Sequence, residues 1–325
     1  MERRKFIRAA GAVLVATPWL DPLLWAQPSP STKKQTRSTG ETQVNTYTHT
    51  TAPTQFVEAN GIRFAYRRFG NKAGVPLVFN THLNGNLDNW DPAVTDGIAK
   101  EREVILFDNA GIGSSTGEVP TTFSGMAKNA IAFIEALSLK QVDVLGFSIG
   151  GMVAQNIVLQ RPDLVRKLVL IGTGPRNGDG MTNLTPEAQA IFGKSFNPPE
   201  HLWLEVLFSP TATSQAAGLE FLKRTASRTE NRDQDNNEKV VPAQIEAIQE
   251  WGKPLGERFE YLKSIKQPTL VVNGNHDVIV YTVNSLHLAQ TLPNAKLILY
   301  SDANHGSYNQ HHAEFVFDLN HFLNA

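Results

Sequence analysis

The sequence contains no cysteine, so disulfide bonds, thiolate metal ligands and a cysteine nucleophile are all excluded. An excess of one charge is also missing, because 30 lysine and arginine residues against 31 aspartate and glutamate residues leave a net charge of −1. The basic residues are spread along the chain, a distribution that does not suit nucleic acid as a partner. Apolar residues make up 41% of the 325 positions. A chain of this length can therefore bury a sizeable core, in one large domain with an insertion or in two small domains.

The apolar run near the N-terminus, residues 9–20, is too short to span a bilayer. It follows a basic segment that contains the pair Arg3-Arg4, and it precedes a small-residue cleavage site that ends at Ala26. This order predicts a twin-arginine signal over residues 1–26, and hence a partnership with the twin-arginine export machinery and a periplasmic or secreted location. An uncleaved anchor and a cytosolic basic amphipathic start are the alternatives. Cleavage would leave a mildly acidic chain, for which we expect no stable membrane insertion.

Residues 27–53 are rich in serine, threonine, glutamine and proline and lack apolar periodicity. Such a composition predicts a disordered linker, because it offers too little apolar surface to offset the entropy of folding. The folded domain is expected to begin at Thr54.

Short apolar runs and turn residues predict the strands of the domain. Residues 55–58 and 62–67 alternate with period two around the turn Ala59-Asn60-Gly61, a pattern typical of an antiparallel hairpin. Six continuous apolar runs follow, and helical stretches separate most of them, as expected for strands buried on both faces of a parallel sheet. We predict a three-layer α/β/α sandwich with a mostly parallel, eight-stranded sheet and an antiparallel N-terminal hairpin. The six runs are residues 77–79, 104–107, 142–145, 168–171, 270–272 and 297–300.

The alternation of strands and helices is interrupted between about residues 174 and 266, a segment that holds many aromatic residues and a charged, Asn-rich stretch. We interpret it as a helical cap over the carboxyl ends of the strands, where open α/β sheets bind their ligands. Trp203, Phe208 and Trp251 are the candidates for contact with a substrate. Packing between cap and sheet is the alternative, and for most of the aromatic residues it is the favoured one.

The pentapeptide Gly146-Phe147-Ser148-Ile149-Gly150 has the form G-x-S-x-G and lies between a predicted strand and a predicted helix. This is the context of a nucleophile elbow, in which a sharp turn exposes a serine hydroxyl at the end of a sheet. Glycine is needed on both sides because side chains there would collide with the backbone. The Ile149 N–H, at the helix N-terminus, is expected to point toward a developing oxyanion.

A serine hydroxyl needs a base to accept its proton and a carboxylate to orient that base. Asp277 and His305 each follow a predicted strand, in the chain order serine, acid, histidine. Asp179 and Asp302 are alternative acids, less well placed than Asp277. His276 is expected to be an ordinary loop residue. The pair His311-His312 is expected at the surface, without further ligands that would make it a metal site.

With these motifs in place, residues 54–325 resemble the α/β-hydrolase superfamily, in particular the group of small esterases, lactonases, cofactor-free haloperoxidases and carbon–carbon bond hydrolases. Residues 108–115 look like that family's D-x-x-G-x-G-x-S loop, and the glycine spacing there does not fit a dinucleotide fingerprint. The resemblance implies Ser148 as nucleophile, His305 as general base and then acid, and Asp277 as the residue that orients His305. It excludes relatives with an aspartate nucleophile, because position 148 is serine.

The loop after the third strand departs from the family pattern His-Gly-x, in which the last residue supplies a backbone donor to the oxyanion hole. This chain has Thr81-His82-Leu83 there. The resemblance therefore implies Leu83 and Ile149 as the two oxyanion donors. The His82 side chain can tilt the Leu83 donor or can itself contact the substrate.

The expectation from the sequence is an exported serine hydrolase that cleaves an ester, thioester or lactone of a small acyl substrate through an acyl-enzyme, without a metal or organic cofactor. The same residues would also serve a perhydrolase or a carbon–carbon bond hydrolase. A non-catalytic homologue that only binds a ligand is a further alternative, suggested by the unusual Thr81-His82.

Overall fold

The computed structural model describes residues 47–182 and 184–325. The predicted signal and residues 27–46 of the predicted linker lie outside them. Within the described part, eight strands form one sheet. They are β1 (Gln55–Ala59), β2 (Ile62–Gly70), β3 (Leu77–Asn80), β4 (Glu103–Phe107), β5 (Val142–Phe147), β6 (Val165–Ile171), β7 (Thr269–Gly274) and β8 (Ala295–Tyr300).

The sheet has the strand order β1-β2-β4-β3-β5-β6-β7-β8. Strand β2 pairs antiparallel with β1 and β4, and the other pairs are parallel. The hairpin turns at Asn60 and Gly61, both of which have positive φ, as a tight two-residue turn requires. The predicted hairpin and the mostly parallel sheet are confirmed.

The described helices cover both faces of the sheet. In β3 the side chain of Val78 belongs to one apolar cluster, with residues of the helices at 123–136, 149–160 and 283–291, while Leu77 and Phe79 belong to another, with residues of the helices at 92–99 and 312–324. Because both faces are covered, the strands read as continuous apolar runs, and the predicted three-layer sandwich is confirmed. The helices are α1 (Pro92–Ala99), α2 (Phe123–Ala136), α3 (Ile149–Gln160), α4 (Pro186–Phe192), α5 (Leu202–Leu207), α6 (Ala212–Thr225), α7 (Val240–Trp251), α8 (Val283–Thr291), α9 (Ser307–Gln310) and α10 (His312–Asn324).

Helices α4 to α7 lie between β6 and β7, within residues 174–266, which we call the cap segment. Across the described residues, no helix has the length and apolar character needed to cross a membrane.

Residues 47–53 differ from the prediction of a disordered linker, because they are held against the domain. The side chain of Arg228 donates hydrogen bonds of 2.9–3.0 Å to the carbonyl oxygens of His49, Thr50 and Ala52. Both His49 and Ala52 are buried. Composition could not indicate this, because the anchoring residue is 176–179 positions away in the sequence.

Candidate active site

The turn between β5 and α3 places Ser148 in an unusual backbone conformation, with φ 56° and ψ −123°. A Cβ atom added to Gly146 would lie 2.2 Å from the Gly150 carbonyl oxygen, and one added to Gly150 would lie 2.0 Å from the Asn80 carbonyl oxygen. These approaches explain why glycine is needed on both sides. Ser148 N–H donates to the Ile171 carbonyl oxygen at 2.9 Å, which ties the turn to the next strand.

Asp277 and His305 meet beside this turn. His305 Nδ1 lies 2.8 Å from Asp277 Oδ2, and each residue is only 3% exposed. The other carboxylate oxygen, Oδ1, accepts the N–H groups of Ile279 and Val280, both at 2.9 Å. Because a carboxylate only accepts, His305 Nδ1 carries the proton and Nε2 is left as the basic nitrogen. This is the arrangement in which a carboxylate fixes the tautomer of a catalytic histidine.

The alternative acids lie elsewhere. Asp302 accepts from the Thr211 hydroxyl at 2.8 and 2.9 Å. Asp179 lies 2.6 Å from His287 Nε2 and 3.0 Å from Arg258, and the bond to His287 is the main reason why its pKa is lowered. Neither carboxylate is bonded to His305.

The other histidines named from the sequence have ordinary surroundings. His276 is exposed. The ring of His311 stacks on Tyr300 with centroids 4.9 Å apart, and His312 is half-buried. Within residues 47–182 and 184–325 there is no group of three or more side chains suited to hold a metal ion.

Ser148 and His305 line one cavity under the cap segment. Its wall combines the loops after β3 and β7 with side chains of the cap segment, including Trp203. Apart from Ser148 and the two histidines, the side chains that line it are apolar. The lining residues are His82, Leu83, Phe147, Ser148, Ile149, Met152, Gly180, Met181, Leu184, Phe192, Trp203, Val206, Leu207, Ile248, Ile279, Val280 and His305.

Two of the aromatic candidates, Phe208 and Trp251, are not brought to this cavity. Phe208 is 1% exposed and packs on Phe221 with ring centroids 5.6 Å apart. Trp251 is also buried, donates to the Gly174 carbonyl oxygen at 3.3 Å and packs against Phe123. Trp251 therefore stabilises the junction of cap segment and domain, and Phe208 packs within the cap segment. For both residues, packing was the alternative interpretation of the sequence.

The loop after β3 forms a tight turn in which Gly85 N–H donates to the His82 carbonyl oxygen at 3.0 Å. His82 is 8% exposed, and its Nδ1 lies 2.9 Å from the Leu83 carbonyl oxygen, so Nδ1 is the protonated nitrogen. Burial lowers the pKa of His82 to about 4 and keeps the ring neutral near pH 7. Among the described residues, the N–H groups of Leu83 and Ile149 have no hydrogen-bond acceptor. Both residues line the cavity.

Sequence reasoning missed a set of polar residues in the cap segment that contact the loops around the site. Asp233 Oδ1 accepts from the backbone N–H and the hydroxyl of Ser114. Asn236 and Gln244 bond to the backbone of Asn84. The charged, Asn-rich composition of residues 228–239 was the available signal, but it does not distinguish such contacts from solvation.

Comparison with known proteins agrees with this architecture. The sequence model of the α/β-hydrolase fold family matches residues 75–311. An α/β-hydrolase fold protein from Chitinophaga pinensis is 38% identical, with a TM-score of 0.80, over 86% of this chain and 100% of that chain. The structure of Est816, an N-acyl homoserine lactone degrading enzyme, is 29% identical, with a TM-score of 0.64, over 82% of this chain and 100% of its own. The poly(3-hydroxyalkanoate) depolymerase of Ectopseudomonas oleovorans is 27% identical over 247 residues, which are 76% of this chain and 83% of the depolymerase.

The match to the family model covers well over half of the sequence, and the fold of the relatives is the one described above. The chain belongs to the α/β-hydrolase fold family, and it is a hydrolase of that class.

Proposed function

We propose that the protein is a serine hydrolase that cleaves an ester, thioester or lactone through an acyl-enzyme. The observation that carries this proposal is the buried 2.8 Å contact between His305 Nδ1 and Asp277 Oδ2 beside the cavity that Ser148 also lines. A histidine so oriented has its Nε2 available to accept the proton of a serine hydroxyl.

In the proposed reaction, Ser148 Oγ attacks the carbonyl carbon while His305 Nε2 accepts the hydroxyl proton. Asp277 stabilises the imidazolium that forms. The N–H groups of Leu83 and Ile149, which have no acceptor of their own among the described residues, donate to the oxyanion. His305 then protonates the leaving group and next activates a water molecule, which releases the acid and restores the Ser148 hydroxyl.

The composition of the cavity wall supports a neutral, apolar acyl group as the substrate. No aspartate, glutamate, lysine or arginine lines it among the described residues. A carboxylate on the substrate would be desolvated there without a cationic partner, which is costly. Neutral esters and lactones avoid this cost, and Est816 is a relative that degrades lactones. We therefore favour neutral esters and lactones over substrates that carry a carboxylate.

Export through the twin-arginine route is also part of the proposal, and its support is the sequence around Arg3-Arg4. Replacing both arginines by lysine should keep the precursor inside the cell. A reporter fused to residues 1–46 and followed by cell fractionation would test this, and unchanged secretion of the lysine variant would contradict it.

The hydrolase proposal is tested with residues 47–325 by a fluorophosphonate probe and a series of p-nitrophenyl esters from acetate to octanoate. We expect labelling and turnover that both disappear in Ser148→Ala, since the hydroxyl is the nucleophile. Asp277→Asn should retain the fold and lose about 10⁴-fold in kcat, because the histidine then adopts the wrong tautomer. Turnover that persists in Ser148→Ala would overturn the proposal.

A further inference from the structure

The peptide unit between Leu83 and Asn84 is held at both of its polar ends. Its carbonyl oxygen accepts from His82 Nδ1 at 2.9 Å. Its N–H, which belongs to Asn84, donates to Gln244 Oε1 at 2.7 Å. Gln244 lies on α7 in the cap segment and is only 4% exposed, so water does not compete for this bond. The plane of this peptide unit is therefore fixed from opposite sides.

The neighbouring peptide units of the same turn are also bonded. The His82 carbonyl oxygen accepts from Gly85 N–H at 3.0 Å, and the Asn84 carbonyl oxygen accepts from Asn236 Nδ2 at 2.9 Å. Asn236 in turn accepts from Gly113 N–H at 2.7 Å, which anchors it on the loop after β4. The Leu83 N–H, by contrast, has no acceptor among the described residues.

We propose that Gln244 and Asn236 are positioning residues, which act from the cap segment and hold the Leu83 N–H in the direction needed for an oxyanion. This inference rests on the proposed hydrolase function and assigns a role to two residues that do not themselves line the cavity. Neither residue touches the reacting atoms. Their effect passes through the backbone of Asn84, the residue next to the donor.

The backbone of the turn has an unusual conformation. Asn84 has a φ of 56°, in the left-handed region that a non-glycine residue adopts at a cost. A Cβ atom on Gly85 would lie 2.4 Å from Thr81 Oγ1, so the turn is also tightly closed on its other side. Because an oxyanion donor must be held within about 0.5 Å of its productive position, a turn released from Gln244 would lose part of its catalytic effect.

The arrangement links the cap segment to the chemical step. The cavity is walled by the cap segment, and the same segment holds the donor loop through α7 and the residues before it. A change in the position of α7 would therefore alter transition-state stabilisation as well as the shape of the cavity.

The test compares Gln244→Leu with Gln249→Leu, which makes the same change at an exposed position of the same helix. We expect Gln244→Leu to lower kcat by about 10-fold to 100-fold while KM changes by less than about twofold, because the lost effect belongs to the transition state. A trifluoromethyl ketone, which forms a tetrahedral oxyanion on the serine, should lose affinity by the same factor. Gln249→Leu should match the unchanged protein in all three measurements.

Two further variants test the inference even if Gln244→Leu does not fold. Gln244→Glu keeps an oxygen acceptor for Asn84 N–H and should restore most of kcat. Asn236→Asp keeps the acceptor for Gly113 N–H but cannot donate to the Asn84 carbonyl oxygen, so kcat and ketone affinity should fall together. The inference is overturned if Asn236→Asp, or Gln244→Leu where it folds, keeps the kcat and the ketone affinity of the unchanged protein, or if Gln244→Glu loses as much of both as Gln244→Leu. If Ser148→Ala remains active, the proposed function itself fails, whereas an inactive Ser148→Ala with unaffected Gln244→Leu and Asn236→Asp removes only the positioning role.

Discussion

The Oδ2 atoms of Asp108 and Asp233 face each other beside Gly113, where both are buried and neither has a hydrogen-bond donor among the described residues. A Cβ atom on Gly113 would lie 2.7 Å from one of these oxygens and 2.2 Å from the other. Burial first, and then the Asp233 carboxyl, raise the pKa of Asp108 well above its usual value, and Arg67 opposes the shift only in part. Two carboxyl groups this close share a proton rather than both ionise.

We expect this pair to make the stability of the protein depend on pH. Since the pKa of Asp108 is raised in the folded state, the pair contributes its full stability below the unfolded pKa and loses it as the pH rises through the folded pKa. Asp108→Asn keeps an acceptor for Leu87 N–H and supplies an N–H to Asp233. The free energy of unfolding of the unchanged protein should therefore fall relative to this variant at high pH, by at most about 1.4 kcal/mol per pH unit.

Urea unfolding at pH 5, 7 and 9 measures this difference. Asp235→Asn is the matched control, because Asp235 lies two positions after Asp233 and is exposed. Its replacement should leave the pH dependence of the stability unchanged. Parallel stability curves for the unchanged protein and Asp108→Asn would mean that the two carboxyl groups do not share a proton.

A second prediction concerns Arg228, which donates to the carbonyl oxygens of His49, Thr50 and Ala52. Arg228→Met leaves these buried acceptors unpaired and should lower the free energy of unfolding by about 3 kcal/mol. Amide hydrogens of residues 47–53 should also exchange faster. Lys239→Met is the control, since that side chain is 73% exposed and its contact with Glu118 is 3.8 Å long. Equal exchange in the two variants would show that the segment is held by other contacts.

Strand positions could be predicted from the sequence because burial on both sheet faces leaves a local pattern. Val104, Ile105 and Leu106 of β4, for example, are all fully buried. The placement of Asp277 and His305 after β7 and β8 follows from the same pattern, because the carboxyl ends of parallel neighbours meet at one edge. Local regularity was thus enough to bring these two side chains together.

Contacts of the cap segment left no such pattern. Asn236 and Gln244 stand in polar surroundings in the sequence, and only the tertiary fold brings them to Asn84. Aromatic residues are ambiguous for a related reason, because Trp203 at the cavity and Phe208 in the core both occur near apolar residues of the same short helix. Their roles depend on which side of that helix faces the sheet.

The glycine at position 150 yields a third prediction. A methyl group there would lie 2.0 Å from the Asn80 carbonyl oxygen, a backbone atom that cannot move independently. Gly150→Ala should therefore destabilise the protein by at least about 3 kcal/mol and displace Ser148. In the control Gly193→Ala the added Cβ would approach no atom closer than 3.2 Å, at a φ of −79°. The measurement is thermal unfolding of both variants, together with probe labelling of the folded fraction. Similar melting temperatures for the two variants would contradict the prediction.

The last prediction distinguishes Trp203, which lies in α5, from Phe208, which directly follows this helix. Trp203 lines the cavity and lies edge-on to His82 with ring centroids 5.1 Å apart, so Trp203→Ala should enlarge the cavity and shift the best p-nitrophenyl ester to a longer acyl chain. Phe208→Ala removes a core side chain and should cost about 3–5 kcal/mol of stability, while the folded enzyme keeps its original chain-length profile. The measurement is kcat/KM for acetate to octanoate esters, together with urea unfolding. An unchanged profile in Trp203→Ala would mean that the acyl group does not occupy the part of the cavity beneath the indole ring.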